Sequence, residues 1–185
     1  MSPPLVDLAH DLTAAGATTV LIDGRSGSGK STLADELQQR WEPSAIVRLD
    51  DIYPGWDGLA WTIEHVHAEL LKPRAAGRPG RWQRWNWATD SADGWGFVEP
   101  DGRLIVEGVG ALTPANRALC DLGIWVDTPD GLRKQRALAR DGDTYRPHWD
   151  QWAAQEDDFI TRFAPRSAAD YLVTETAHGL RWTPS

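Results

Sequence analysis

The sequence is poor in the residues that would point to several common protein classes. Its 185 residues include one cysteine, one methionine and three phenylalanines. A lone Cys120 excludes a disulfide framework and a cysteine-based zinc centre, and it reads as a core residue. Basic residues are also scarce, with 19 Lys and Arg against 27 Asp and Glu and a net charge of −8. That balance argues against a general nucleic-acid or membrane-surface binder, which needs a basic face. One local cluster of cations would still suffice for a phosphate-bearing ligand. No apolar run approaches the ~20 residues that span a bilayer. The opening Met1-Ser2-Pro3-Pro4-Leu5-Val6-Asp7 lacks the basic-then-apolar order of a signal peptide. The sequence therefore predicts a soluble, cytoplasmic protein without nucleic-acid or membrane partners. Its length suits a single α/β domain over 1–185.

What the sequence does contain is organised around Gly24-Arg25-Ser26-Gly27-Ser28-Gly29-Lys30-Ser31-Thr32. This stretch satisfies the pattern G-x-x-x-x-G-K-S/T. It follows an apolar run, Thr19-Val20-Leu21-Ile22, and precedes a helical spacing of Leu33, Ala34, Leu37 and Trp41. That order of strand, glycine-rich turn and helix gives the pattern its meaning. Glycines let successive N–H groups turn inward toward phosphate oxygens, and the helix N-terminus adds partial positive charge. Lys30 can reach the β- and γ-phosphates, and the Ser31 hydroxyl can hold Mg²⁺. The segment is read as a nucleotide-phosphate site.

Elsewhere, apolar runs alternate with helical spacing. A helix is expected over 4–15, ended by Gly16. A second strand, Ala45–Leu49, ends in the carboxylate pair Asp50-Asp51, followed by Tyr53, a Pro54-Gly55 break and Asp57. A helix is expected over Leu59–Leu71, with His65 and His67 two apart and hence not a metal pair. The stretch Pro73–Pro100 shows no sustained period, and short hairpin strands are expected near Arg81–Trp87. A long irregular segment of this kind is commonly a substrate cover. Arg103–Val106 reads as a buried strand ending in Glu107. A short helix is expected over Pro114–Leu119, and a fourth strand over Leu122–Asp127. Thr128 and Pro129 then open a helix bearing Arg133, Arg136 and Arg140 on one face. A turn over 142–147, a helix over Trp149–Phe163 and a fifth strand over Asp170–Thr174 complete the pattern. The tail to Ser185 is weakly specified. Four of the eleven tryptophans (Trp82, Trp85, Trp87 and Trp95) crowd the middle of the chain, where a planar ligand could stack.

Alternating strands and helices imply a parallel sheet covered on both faces. The phosphate loop, Asp50/Asp51, Glu107 and the arginine helix then all fall at the C-terminal ends of strands, where open α/β sheets bind ligands. Phosphoryl transfer needs a positioned triphosphate, neutralised charge and an acceptor oxygen in line. Loop amides, Lys30, Mg²⁺ and the arginines fit the first two needs. Asp50 or Asp51 fits the proton acceptor. Glu107, alone after three apolar strand residues, fits a magnesium contact, direct or through water.

The pattern resembles the uridine kinase branch of the P-loop nucleoside and nucleotide kinases, which is related to pantothenate kinases and phosphoribulokinases. The likeness runs from Thr18 to about Val173. It rests on Asp23–Thr32, Leu49–Tyr53, Ile105–Val109, Val126–Thr128 with Arg133, Arg136, Arg140 and Asp141, and Ala169–Val173. The resemblance implies a three-layer α/β/α fold with a five-stranded parallel sheet in the order 2-3-1-4-5. It implies Asp50 as catalytic base, Tyr53 as substrate-side aromatic, and Ser31, Asp50 and Glu107 around Mg²⁺. Lys30 and the three arginines would act on the phosphates of ATP. Within the domain, 73–100 would be a substrate-side insertion and 140–148 a short lid carrying Arg146. Trp85-Asn86-Trp87 looks like a counterpart of the family's aromatic–Asp–aromatic piece, with Asn for Asp. Asp51, Asp57, Trp85 and Trp87 join Tyr53 as candidate acceptor contacts. The expected activity is transfer of the ATP γ-phosphate to a hydroxyl of a small molecule, first a nucleoside. A gluconate- or shikimate-type kinase, a nucleotide-dependent switch and a non-catalytic ATP-binding scaffold are the alternatives.

Overall fold

The structure, a computed structural model, describes residues 5–176 and 179–185. Its centre is β1 (Thr19–Asp23), in which every residue is buried. Side chains alternate across a strand, so Val20 and Ile22 face one side and Leu21 the other. Val20 and Ile22 meet α1 (Leu5–Ala14) and α2 (Lys30–Gln38) through Leu5, Leu8, Leu12, Leu33, Leu37 and the fully buried Trp41. Leu21 belongs to the opposite core with Leu59, Ile63, Val66, Leu70, Trp152 and Phe159. Helices on both faces of a central sheet make three layers, as the alternating pattern predicts.

The sheet also contains β2 (Ser44–Arg48), β5 (Arg103–Glu107), β6 (Leu122–Asp127), β7 (Tyr171–Thr176) and β8 (Gly179–Pro184). Its order is β2-β5-β1-β6-β7-β8. Numbered among themselves in chain order these strands stand 2-3-1-4-5-6, so the expected order of the five parallel strands holds and the correction is the added sixth strand, β8. Two strands, β3 (Gly80–Asn86) and β4 (Ser91–Val98), leave the main sheet and pair only with each other. The tail, which carried no clear pattern, adds a sixth strand antiparallel to β7. Trp182 secures that edge by burying its ring against the core beside Tyr171. Pro184 near the strand end has no N–H to offer a further neighbour.

Several boundaries also shift. The first helix is described from Leu5, and Pro4 of the expected span lies outside the described residues. The helix expected to stop at Leu71 runs as α3 (Leu59–His65), a π-helical segment (Val66–Leu71) and α4 (Lys72–Ala75). Pro73 lacks the N–H that would bond the Glu69 carbonyl, and a widened turn before it accommodates the missing donor. Arg74, just beyond, is buried and donates to the carbonyls of Glu99 and Gly102, tying down the far end of the hairpin insertion. The short helix after β5 is α5 (Pro114–Arg117). The expected turn at 142–147 lies largely inside α6 (Asp130–Tyr145), where Gly142 breaks helical geometry at φ 56°, ψ −132°. A 3-10 turn, Arg146–His148, links it to α7 (Trp149–Phe163), and α8 (Pro165–Ala168) precedes β7. Among the described residues no helix is long and apolar enough to cross a membrane.

Candidate active site

The phosphate loop joins β1 to α2, and its neighbours explain why it holds one shape. Gly27, at φ 78°, passes so close to α6 that a Cβ there would collide with the Arg133 carbonyl oxygen. Gly29, at φ 94°, has open space where its Cβ would be, because the loop curls around a hollow at that point. The Ser28 hydroxyl is buried beside Gly24 without a hydrogen-bond partner among the described residues, while its carbonyl accepts from Thr128 Oγ1 at 3.0 Å. Thr128 therefore braces the loop, and Pro129 occupies the N-cap of α6 in its place. An open cradle, an orphaned hydroxyl and the first amides of α2 fit a polyphosphate.

A second support comes from α7 and had no sequence signal. Glu156 is fully buried, and its Oε1 accepts from the Ser26 N–H at 2.8 Å. Its other oxygen takes Arg25 Nε at 2.9 Å and has Arg133 Nη1 at 3.7 Å. Arg133 is buried too, reaching the Ser26 carbonyl as well as Asp130. Of the three candidate arginines, this one faces the underside of the loop. Glu156 escaped detection because it sits in a helix among other acids, Asp157 and Asp158. Only the folded chain separates one inward carboxylate from two outward ones.

Asp23, at the end of β1, is also fully buried. It accepts from the amides of Gly24, Gly110 at 3.1 Å and Leu112 at 2.8 Å, joining the loop to the chain after β5. Burial outweighs these donors and nearby Lys30, raising its pKa to about 7. A carboxyl that binds its proton more tightly when folded stabilises the fold fully below its unfolded pKa. That contribution is lost as pH rises through about 7. Urea unfolding should therefore show the stability difference between wild type and Asp23→Asn shifting against wild type from pH 5 to pH 8. A pH-independent difference would contradict the assignment.

Two cavities open beside the loop. The first, about 520 Å³, is lined by Gly27–Leu33, Val126, Arg136, Arg140, Val173, Glu175 and Leu180 among others. Arg136 is held there by Glu175 at 2.6 Å. The second, about 380 Å³, contains Ser26, Asp50, Asp51, Tyr53, Trp56, Trp87, Arg140, Asp141, Thr144, Tyr145 and Trp152. Arg140 lines both, and its Nη2 lies 3.9 Å from Asp50 Oδ2. The Asp50 carboxylate is about half exposed, at 54%. The backbone carbonyl of Asp50 accepts from Trp87 Nε1 at 2.7 Å. The Tyr53 ring forms part of the wall while its hydroxyl donates to the Val109 carbonyl at 2.7 Å.

Asp50, Asp51, Tyr53 and Trp87 thus meet in one cavity, and three other candidates stand outside its lining. Asp57 accepts from Gln151 at 2.6 Å. Trp85 buries its indole N–H, which has no hydrogen-bond partner among the described residues. Arg146 lies 3.7 Å from Asp143, exposed at the start of the 3-10 turn. Asn86 organises the hairpin turn, its side-chain oxygen accepting from the amides of Ala88 and Thr89. Glu107 is buried and paired with Arg48 at 3.0 Å, and Arg48 reaches Asp35 at 2.6 Å. Among the described residues no group of three or more His, Cys, Asp and Glu is arranged to hold a metal. Magnesium commonly takes few protein ligands and completes its shell from phosphates and water; the Ser31 hydroxyl at the cradle suits that pattern.

Trp56, Tyr145 and Trp152 were missed by sequence reasoning, and they supply most of the second cavity's aromatic wall. Trp56 stacks on Tyr145 at 5.2 Å and His148 at 4.6 Å, and tilts against Trp87 at 4.9 Å. Trp152 meets Tyr53 edge-on at 4.7 Å. Ser26 of the phosphate loop lines the same cavity as Tyr145, so the loop and the aromatic wall adjoin. His65 instead accepts from the Gln83 N–H at 3.0 Å and stacks on Trp61, and burial lowers its pKa. His67 lies 2.9 Å from Asn116. Burial also pushes the half-covered Cys120 thiol up to about 12, which makes it inert.

With this geometry in view, solved structures provide a comparison. A protein from Bacillus stearothermophilus described as a possible uridine kinase superposes with a TM-score of 0.63 at 21% identity, covering 91% of this chain and 96% of that one. The chain shares the three-layer fold of that protein. A structure from a Silicibacter species, named for a fructose transport system kinase, superposes with a TM-score of 0.55 at 21% identity, over 90% and 96% of the two chains. No protein-family model matches the sequence, and no curated protein matches it.

Proposed function

We propose that the protein is an ATP-dependent phosphotransferase that moves the γ-phosphate of Mg-ATP to a hydroxyl of a small molecule, nucleosides being the first class to test. The observation that carries this reading is Arg140, which belongs to both the loop-side cavity and the aromatic cavity and stands beside Asp50. A triphosphate in the loop and an alcohol among the aromatics would meet there. Asp50 would accept the alcohol proton as the alcohol oxygen bonds to the γ-phosphorus. The bond from that phosphorus to the β–γ bridging oxygen breaks, and ADP carries away the electron pair. Lys30, the loop amides and Arg140 would offset the charge on the phosphates, and Arg136 would join them by exchanging Glu175 for phosphate. Bound magnesium, held through the Ser31 hydroxyl, supplies further charge neutralisation. Arg133 and Arg25 would hold the loop through Glu156. Both kinase-named structural neighbours support this reading of the fold.

Release of ADP from Mg-ATP, followed against a panel of nucleosides, sugars, sugar acids and amino alcohols, tests the proposal. We expect release to rise with one hydroxyl-bearing class. Slow release indifferent to every acceptor would point to a switch, and none at all to a scaffold.

A further inference from the structure

The acceptor cavity is unusual in its charge. Three carboxylates line it (Asp50, Asp51 and Asp141), against one guanidinium, that of Arg140. Asp141 already occupies that guanidinium, taking Nε at 2.9 and 3.0 Å and Nη2 at 2.7 Å. Asp50 retains only the 3.9 Å approach to Arg140. The Asp51 side chain makes no hydrogen bond or ion pair among the described residues, and Asp50 is its sequence neighbour. The Arg48 guanidinium, whose charge reaches Asp51, is already shared between Asp35 at 2.6 Å and Glu107 at 3.0 Å. The rest of the wall is aromatic, and aromatic rings offer negative potential at their faces.

We propose that the phosphate acceptor is a cationic alcohol, bearing a protonated amine or a quaternary ammonium group beside its hydroxyl. This rests on the kinase reading for the place where the acceptor sits, and narrows the class it belongs to. The cation would lie between Asp51 and the tryptophan rings, leaving Asp50 free for the hydroxyl. A sugar acid would add a fourth carboxylate to the three already present, which disfavours the gluconate-type alternative. A neutral nucleoside could stack there but would leave Asp51 without an ion pair.

Choline and its uncharged carbon isostere, dimethylbutanol, separate charge from shape. Three of the cavity residues are tryptophans, so binding to the full-length protein can be followed by tryptophan emission. We expect choline to bind about tenfold more tightly than dimethylbutanol or uridine. Asp51→Asn, checked for native circular dichroism, should reduce that preference about threefold or more. Equal binding of the isostere or of uridine, or a preference that survives in Asp51→Asn, would overturn the inference. ADP release with the same compounds keeps the two proposals apart. Cation-selective binding with no ATP consumed by any alcohol would remove the kinase reading and leave the charge selectivity standing. Phosphorylation of uridine with no response to cationic alcohols would do the reverse.

Discussion

Asp50→Asn should lower turnover by about 10²–10³-fold while leaving ATP affinity near that of the wild type. The carboxylate is about half exposed at the junction of the two cavities, so its replacement by an isosteric amide should not disturb the fold. An amide cannot accept the acceptor's proton, so the loss belongs to the chemical step. Asp51→Asn should cost less turnover, because Asp51 has no contact with Arg140, the residue common to both cavities. Rapid-quench measurement of phosphoryl transfer, alongside calorimetric titration with Mg-ATP, separates the two terms. If Asp50→Asn lost ATP binding in proportion to turnover, Asp50 would be a nucleotide contact rather than the base. If Asp51→Asn fell further than Asp50→Asn, the two roles would have to be exchanged.

Glu156→Ala should destabilise the fold by about 3 kcal/mol, at the low end of what loss of one partner from a buried charge pair costs. The carboxylate is fully buried and faces the Ser26 amide, Arg25 and Arg133. The loss is held to the low end because Arg25 keeps Asp157 at 2.8 Å and Arg133 keeps Asp130 at 2.8 Å. Glu156→Gln should fall between, since the amide oxygen can still accept from Ser26. Urea unfolding measures both. Because Ser26 belongs to the phosphate loop, the alanine variant should also bind ATP more weakly at temperatures where it remains folded. A loss below about 1 kcal/mol, with ATP affinity retained, would mean that the loop keeps its shape without α7.

The residues that could be placed from sequence share one property: their chemistry depends on near neighbours. The phosphate loop is legible because its strand, glycines, Lys30 and helix start lie within fourteen residues, 19–32. Asp50 and Arg140 were legible as strand-end and helix-face groups, and their meeting follows from parallel strands that deliver their C-terminal ends to one edge. Glu156 was not legible, since its partners lie some 130 residues away in the chain. Nothing in the local pattern of α7 marks it apart from Asp157 and Asp158. Trp56, Tyr145 and Trp152 were opaque for a related reason. Tryptophans clustered in sequence drew attention to Trp85 and Trp87, whose spacing of two would put both on one face of a continuing strand, but the strand ends at Asn86. Trp87 reaches the cavity from the hairpin turn, whereas Trp85 lies in β3 outside its lining.

The amino-acid sequence by itself determined the α/β class, the phosphate cradle, and the gathering of acids and arginines at one sheet edge. These follow from hydrophobic period and from glycine at positions where the backbone turns, which are local quantities. Tertiary structure alone decided that the tail becomes a sixth, antiparallel strand and that Arg133 braces the loop from below. It also decided which aromatics wall the second cavity and that Asp51 makes no ion pair among the described residues. Each of those outcomes depends on which distant groups exclude water together, and burial of that kind arises only when the whole chain has closed.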